Sequence, residues 1–516
     1  MKHHLVTVVD RARQGLPHAF KRARSGGSAG SGLERETETF HLPPELWLHI
    51  FTYLITYSSS TTSTCQTDSI RAATLTCHAF RSLAQPLLFA KISTHPPPPR
   101  NGYGIIGLGQ NPSGPRYRRR TVQRMEFFSS VAIAPAVREV TIDPPEDHSD
   151  VEEIDTIFES LAKFPNLTTL VLRSIRLSLR RLSLLHQLRL TTVTLDSCPS
   201  DITAFASSAL RPLSLSTVVL KYPTSDTPDE SLPPLFAVFL SPKYLHRLSS
   251  NTTQVLPPLA QSPRAFLRLQ HLEVSVFGLT SPSFVTAMSQ CPNLERLNLQ
   301  TDHVSAPNID VQFHGHPLSN IPRTGVPGAL PANVIPLLKL YRGPRNFAGL
   351  FARSGGCLNA VELSGPIKAH RLARTLRLLP KTLESLSFRV DGDVPKTLLK
   401  TIGTQFPALR SLSMTDPLLS GAALDSLLAP CRDSPLSSLR IIRLRVEGKD
   451  RYNLWVPPVE QAGDVVDVFG KVRPALQAVY PGLICVKLVY GLENACLVWR
   501  GRGGKHKELV LVTPID

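Results

Sequence analysis

The stretch Gly102-Tyr103-Gly104-Ile105-Ile106-Gly107 has the G-x-G-x-x-G spacing with which a chain can wrap a pyrophosphate. That chemistry needs a strand before the glycines and a helix after them, so that a helix N-terminus meets the phosphates. Here Pro96 to Pro99 come first, and the basic residues Arg116 and Arg118 to Arg120 further on do not replace the missing elements, so the stretch reads as a loop. His506-Lys507-Glu508 is the first half of a zinc-deaminase pattern, but no P-C-x-x-C follows it. The cysteines, at positions 65, 77, 198, 291, 357, 431, 485 and 496, are scattered without a C-x-x-C pair or a histidine at ligand spacing. Most sit in apolar surroundings and read as reduced core residues. G-x-S-x-G, H-E-x-x-H and Walker Gly-Lys-Ser/Thr patterns are missing. The residues therefore assign no catalytic group, no metal site and no cofactor.

The net charge of +17 and a pI near 9.7 admit an acidic protein or a nucleic acid as partner. A nucleic-acid surface would interleave aromatics with Arg and Lys on a sheet, and the candidate strand positions carry mostly Ser, Thr and mixed charges. That reading is weak. Residues 1–39 are basic, then Ser/Gly-rich, which is the composition of a disordered tail. Lys21-Arg22-Ala23-Arg24 could serve as a nuclear address. No run reaches the eighteen or so apolar residues of a membrane span, and Leu5 to Val9 is too short for a signal-peptide core. The expected location is cytoplasm, nucleus or both, with no membrane partner.

The elements that would organise such a chain begin at residue 40. Pro43 and Glu45 suit a helix start, and Leu46, Ile50 and Leu54, with Trp47, Phe51 and Ile55 beside them, form an apolar stripe at helical spacing. A second helix is expected after Asp68, carrying Ile70, Ala73, Cys77 and Phe80, and a third holds Leu83, Leu87, Leu88 and Phe89. Three helices in about fifty residues cannot bury this much apolar surface among themselves, so part of it should meet another protein.

On these residues the chain resembles the F-box: Leu42-Pro43-Pro44-Glu45-Leu46, Ile50-Phe51 and Leu54, then Leu75 to Phe80 and Leu87-Leu88-Phe89. It departs from the pattern in a polar insert, Ser58 to Thr67, and in Phe80, where many members carry Trp. The resemblance implies docking on the Skp adaptor of a cullin–RING ubiquitin ligase through Leu42, Pro43, Leu46, Ile50, Phe51, Leu54, Leu75, Cys77 and Phe80.

From Phe127 one unit recurs. Its plainest copies open at Phe164-Pro165-Asn166-Leu167, Cys291-Pro292-Asn293-Leu294, Phe406-Pro407-Ala408-Leu409 and Tyr480-Pro481-Gly482-Leu483, each continuing as L-x-x-L-x-L or its apolar equivalent. Weaker copies start at Val137, Leu190, Leu215, Leu269, Leu358, Leu383 and Leu439, with several steps of roughly 25 residues. The gaps 221–268 and 300–357 would hold insertions or degenerate copies. Helical patterns precede the clear copies, at Ile154 to Leu161, Ser281 to Met288, Pro395 to Ile402 and Val465 to Val472. Helix followed by short strand at this period resembles irregular leucine-rich repeats, although the usual Asn after the strand is missing from most copies. The expected fold class is α/β: a three-helix F-box (40–93), a Pro/Gly/Arg-rich linker (94–126), and a leucine-rich-repeat solenoid with a parallel curved sheet (127–516) ending in a β-hairpin cap.

The combined resemblance implies a substrate-recognition subunit of an SCF-type ligase, bound to the Skp adaptor and through it to cullin, with an unknown protein substrate on the repeats. The rivals are a scaffold without a role in degradation and an enzyme with a site in the insertions. On L-x-x-L-x-L strands the intervening positions face outward, onto the concave side. There Glu139, Asp143, Arg173, Asp196, Lys221 and Glu273 make the N-terminal half net negative. Arg296, Arg389, Arg443, Arg445 and Lys487, against Glu362, make the C-terminal half net positive. Those five cations are the candidate substrate residues, for an acidic or phosphorylated segment.

Overall fold

The computed structural model describes residues 43–57, 74–75, 78–94, 123–143, 151–199, 211–222, 238–275, 281–300, 334–354, 357–391, 396–416, 438–446, 480, 482–490, 495–502 and 506–512. The chain divides into two compact units, Met1–Trp47 and Leu48–Asp516. Of the first, residues 43–47 are described. They form the opening turn of helix α1 (Pro44–Tyr57), in which the Pro43 carbonyl accepts from the Leu46 and Trp47 N–H groups. Pro44, one residue later than the sequence suggested, is therefore the first helical residue, where a missing N–H costs nothing.

Among the described residues, the second unit is built on a 16-stranded sheet whose spatial order follows the chain order. Its strands are β1 (Lys91–Ser93), β2 (Glu139–Ile142), β3 (Thr169–Arg173), β4 (Thr192–Asp196), β5 (Thr217–Lys221), β6 (Arg247–Ser250), β7 (His271–Ser275) and β8 (Arg296–Gln300). They continue as β9 (Leu340–Pro344), β10 (Ala360–Lys368), β11 (Ser385–Asp391), β12 (Ser411–Asp416), β13 (Ile441–Val446), β14 (Cys485–Tyr490), β15 (Ala495–Arg502) and β16 (His506–Val512). Strands β1 to β14 are parallel, and β14, β15 and β16 close the sheet as an antiparallel meander, the hairpin expected from Cys496 to Val512. Among the described helices, α2 (His78–Leu88), α3 (Val151–Leu161), α4 (Leu179–Gln187), α5 (Leu256–Gln261), α6 (Ser281–Ser289), α7 (Arg345–Ser354), α8 (Ala369–Leu376) and α9 (Lys396–Gln405) belong to this unit. The helix expected at Val465 to Val472 lies outside the described residues.

The recurring Phe-Pro-Asn-Leu signature has a local explanation. The N–H of Leu167 bonds the carbonyl of Phe164, and Leu294 does the same to Cys291 and Leu409 to Phe406. Each is a four-residue turn with proline preset at its second position. The turn's first residue is buried, as Phe164, Cys291 and Phe406 all are, and so is the leucine that ends it. Asn166 and Asn293, at the third position, donate to the carbonyls of Pro135 and Leu267 in the preceding repeat, at 2.7 and 2.8 Å. The next two apolar residues of L-x-x-L-x-L then enter the core from the strand: Leu170 and Leu172 in β3, Leu297 and Leu299 in β8.

Two repeats escape the sequence pattern, one in each long gap. The first is anchored by Leu245 and Leu248, and its last core position is Ser250, whose hydroxyl donates to the Thr252 carbonyl at 3.0 Å and so stays satisfied when buried. The second is anchored by Leu338 and Tyr341, with Gly343 in the last core position. There φ is +153° and an added Cβ would stand 2.8 Å from Leu299 and from the Tyr341 hydroxyl. The bulk of Tyr341 fills the space a leucine at 343 would need. The repeat asparagine missing elsewhere also stands in a hidden copy: Asn251 donates to the Tyr222 carbonyl at 2.6 Å and accepts from the Tyr222 N–H at 2.8 Å.

The sheet begins earlier than the repeats do. Strand β1 lies inside the stretch the sequence assigns to the F-box, and pairs in parallel with β2 through Ile92 opposite Val140. Phe89, at the end of α2, meets Phe127 and Phe128 edge-on, with ring centroids 6.1 and 6.2 Å apart. Phe80, expected in the second helix, shares α2 with Leu83 and Leu87, and the helix runs through Pro86 before ending at Leu88.

Asn251→Ala removes both bonds to Tyr222 and should cost about 1–3 kcal/mol of stability. Urea unfolding reads the loss, and hydrogen exchange should accelerate at the Tyr222 amide; an unchanged amide would show that the bond is not formed in solution.

Candidate functional site

Two surfaces carry the residues that the sequence singled out. On α1, Leu46 is 46% exposed and Leu48 is 42% exposed, while Phe51 is 3% exposed. Pro43 is exposed and Ile50 half-buried. Phe51 packs edge-on against Phe80, centroids 5.8 Å apart and rings at 86°. The two aromatics expected to dock on a partner are thus committed to each other, and Phe51 belongs to the packing that holds α1 on α2. Leu48, outside the expected stripe, joins the exposed apolar set. Its signal was present in the sequence, since a residue one turn before Thr52 can flank the stripe from the other side. Leu75 is 78% exposed. Leu42 and Cys77 lie outside the described residues, as does the insert Ser58 to Thr67; of Leu54 the structure fixes the backbone, within α1.

The second surface is the sheet face opposite the core. The strand register groups four of the five candidate substrate residues. Arg443 of β13 stands opposite Lys487 of β14 on one side and Ser413 on the other. Arg445 pairs with Thr415, which pairs in turn with Arg389 of β11. Adjacent strands lie about 4.8 Å apart, so Arg443 and Lys487 are next-door cations. Arg296 stands apart, on β8 between His271 and Leu340. Arg443 and Arg296 are exposed and Arg389 is half-buried.

Several other charges on this face neutralise one another. Lys91 bonds Glu139 at 3.0 Å, Arg173 lies 3.5 Å from Asp143 and 4.0 Å from Asp196, and Arg342 lies 3.6 Å from Glu362. Such exposed pairs contribute about 0–1 kcal/mol each, but they leave less charge for a ligand. The hidden repeats add Arg247 and Arg342, which the pattern could not supply because it lacked their strands. Glu273 accepts hydrogen bonds from Ser249 at 2.8 Å, from Gln300 at 2.6 Å and from the Asn298 amide.

Among the described residues no cluster of His, Cys, Asp and Glu could hold a metal ion, and no helix is long and apolar enough to cross a membrane. Cys198, Cys291, Cys357 and Cys485 are free thiols. Burial pushes the Cys198 thiol up to about 11 and that of Cys291 up to about 12. Cys198 also donates to the Leu172 carbonyl at 3.3 Å, tying two repeats together. Cys357 differs from the core role expected of these cysteines: it is exposed, in the turn just before Leu358.

Phe51→Ala should cost about 3–5 kcal/mol through the cavity it leaves. Leu46→Asp, on an exposed side chain, should change stability by less than about 0.5 kcal/mol; thermal unfolding of the two variants checks the contrast. With thiolate as the reacting species, native alkylation near pH 7.5 should modify Cys357 at least tenfold faster than Cys198 or Cys291, as read by peptide mapping. Equal rates would mean that the repeats open.

Residues 39–95 match the F-box-like family. No curated protein sequence matches the chain. Among solved structures, the leucine-rich-repeat protein LegL7 of Legionella pneumophila aligns at 15% identity over 71% of this chain and 87% of its own, with a TM-score of 0.31. A chain of the crystal structure of the Rad7 and Elc1 complex in yeast aligns at 12% identity over 81% of this chain and 95% of its own, with a TM-score of 0.30. The repeat assignment stands on this chain's own strand order, turn chemistry and buried leucines. The chain thus carries an F-box-like domain at residues 39–95, whose end enters an irregular leucine-rich-repeat sheet.

Proposed function

We propose that this chain is the substrate-recognition subunit of an SCF-type cullin–RING ubiquitin ligase, acting in the cytoplasm, the nucleus or both. The observation that carries the reading is the F-box-like match at residues 39–95 on a helix whose Leu46 and Leu48 remain exposed while Phe51 is turned inward. The apolar side chains left outside are what an adaptor would cover, and F-box domains generally bind Skp-type adaptors. The exposed sheet face supplies many outward positions on rigid strands, which suits recognition of a protein segment. The chemistry is done elsewhere in such a complex: the receptor raises the effective concentration of substrate near the ubiquitin-conjugating enzyme. The sheet cations Arg389, Arg443, Arg445 and Lys487 are the proposed contacts for an acidic or phosphorylated part of that substrate.

Leu46→Asp combined with Ile50→Asp should reduce co-purification of the Skp adaptor at least tenfold while the repeats keep their unfolding midpoint. Unchanged adaptor recovery would overturn the docking assignment. Adaptor binding without any partner stabilised on deletion of the chain would favour a scaffold over a receptor.

A further inference from the structure

Among the described residues, the exposed face of the sheet carries a row of basic groups left uncompensated at β6 to β8. The first outward positions of β6, β7 and β8 are Arg247, His271 and Arg296, consecutive in register. Arg247 and Arg296 are exposed, His271 is half-buried between them, and neither arginine forms an ion pair among the described residues. Elsewhere on the same sheet Lys91, Arg173 and Arg342 each have a carboxylate on a neighbouring strand, Glu139, Asp196 and Glu362. The two carboxylates near this row are already engaged. Glu273, two residues beyond His271, accepts from Ser249, Asn298 and Gln300, and Glu295 is bonded to Lys339 at 2.9 Å.

We propose that the row Arg247–His271–Arg296 seats a carboxylate-bearing segment of a protein partner, laid across β6 to β8. The inference rests on the receptor reading above, whose substrate it places at the middle of the sheet. Three strands span about 10 Å, so two acidic side chains two or three residues apart in an extended segment can each meet one guanidinium. The next row along the strands is Ser249, Glu273 and Asn298, where the Glu273 carboxylate accepts from the Ser249 hydroxyl and the Asn298 amide, and from Gln300 one row further on. A nucleic-acid backbone fits this face less well. The outward positions of β6 to β9 carry no Phe, Tyr or Trp for base stacking.

His271 makes the binding sensitive to pH. Burial first, and then Arg296 of β8 and Arg247 of β6, hold its pKa below the ordinary value, while Glu295 opposes them weakly and Glu273 stands on its own strand. It is therefore neutral near pH 7 in the free protein. A bound carboxylate favours the protonated ring and raises that pKa, so binding should tighten as pH falls.

The test uses the full-length chain and fluorescent decapeptides, one with alternating glutamates, one with glutamines in their place and one with phosphoserines, beside a single-stranded oligonucleotide of ten thymidines. The glutamate peptide should bind at least tenfold more tightly than the glutamine peptide. Arg247→Ala with Arg296→Ala should lose that difference, while Arg173→Ala, whose guanidinium is paired, should change it less than twofold. Lowering the pH from about 7.5 to about 5.5 should tighten binding severalfold, and His271→Gln should flatten that dependence. Circular dichroism confirms that each variant is folded. Equal binding by the double variant overturns the proposal. So does a phosphoserine peptide more than tenfold tighter than the glutamate one, or an oligonucleotide that outcompetes both and is lost in the same variant. Adaptor capture is measured separately: its failure with peptide binding intact would overturn the receptor reading and leave the row standing.

Discussion

Each repeat hands one backbone carbonyl to the next. The Ala90 carbonyl accepts from the N–H groups of both Arg138 and Glu139, Arg138 from Thr168 and Thr169, and Thr168 from Thr191 and Thr192. The pattern continues through Ser216, His246, Gln270, Glu295, Lys339, Asn359, Glu384, Arg410 and Arg440, whose carbonyl receives Ile484 and Cys485. A carbonyl has two lone pairs and can serve two donors, so one acceptor per repeat fixes both the spacing and the register of the neighbour. Because no strand can satisfy itself, the stability of each repeat is shared with the repeats beside it. The same first rung binds the F-box-like segment to the sheet, since Ala90 sits at the end of that segment.

Register on this ladder decides which side chains are inside. One step along a strand moves a residue from core to surface, so buried Leu or Val alternates with outward residues through β3, β5 and β8, and the single cation of each stands outward: Arg173, Lys221 and Arg296. The ladder also tolerates poor sequence. The repeats anchored at Leu245 and Leu338 lack the last leucine, yet their strands pair in frame because their carbonyls and amides occupy the same places. Ser250 survives burial by bonding locally, and Gly343 by making room for Tyr341.

The two surfaces are organised by opposite rules. On α1 the apolar side chains of Leu46 and Leu48 stay exposed, while Phe51 is buried against Phe80. On the sheet the useful groups are charges that cross-strand partners do not absorb. Cross-strand pairing removes Arg173 and Arg342 from that set and, among the described residues, leaves Arg247, Arg296 and Arg443 without an ion pair.

The sequence by itself determined the periodic features. The Pro-Asn-Leu turns, the buried faces of α3, α6 and α9, the terminal hairpin and the F-box-like start are all carried by local chemistry: a proline that presets φ, a 3.6-residue apolar stripe, alternation at period two. What lies across strands was not legible. That Arg443 faces Lys487, that Arg173 is shared by Asp143 and Asp196, and that Arg247, His271 and Arg296 form one row depend on residues tens of positions apart in the chain. The hidden repeats show the same limit from the other side. Ser250 and Gly343 look wrong for a core when read one repeat at a time, and Asn251 fits nothing when its strand is unseen. Only the packed sheet reveals that Tyr341 fills the missing volume and that Tyr222 is the partner of Asn251, because volume and hydrogen bonding are balanced between neighbouring repeats and not within one.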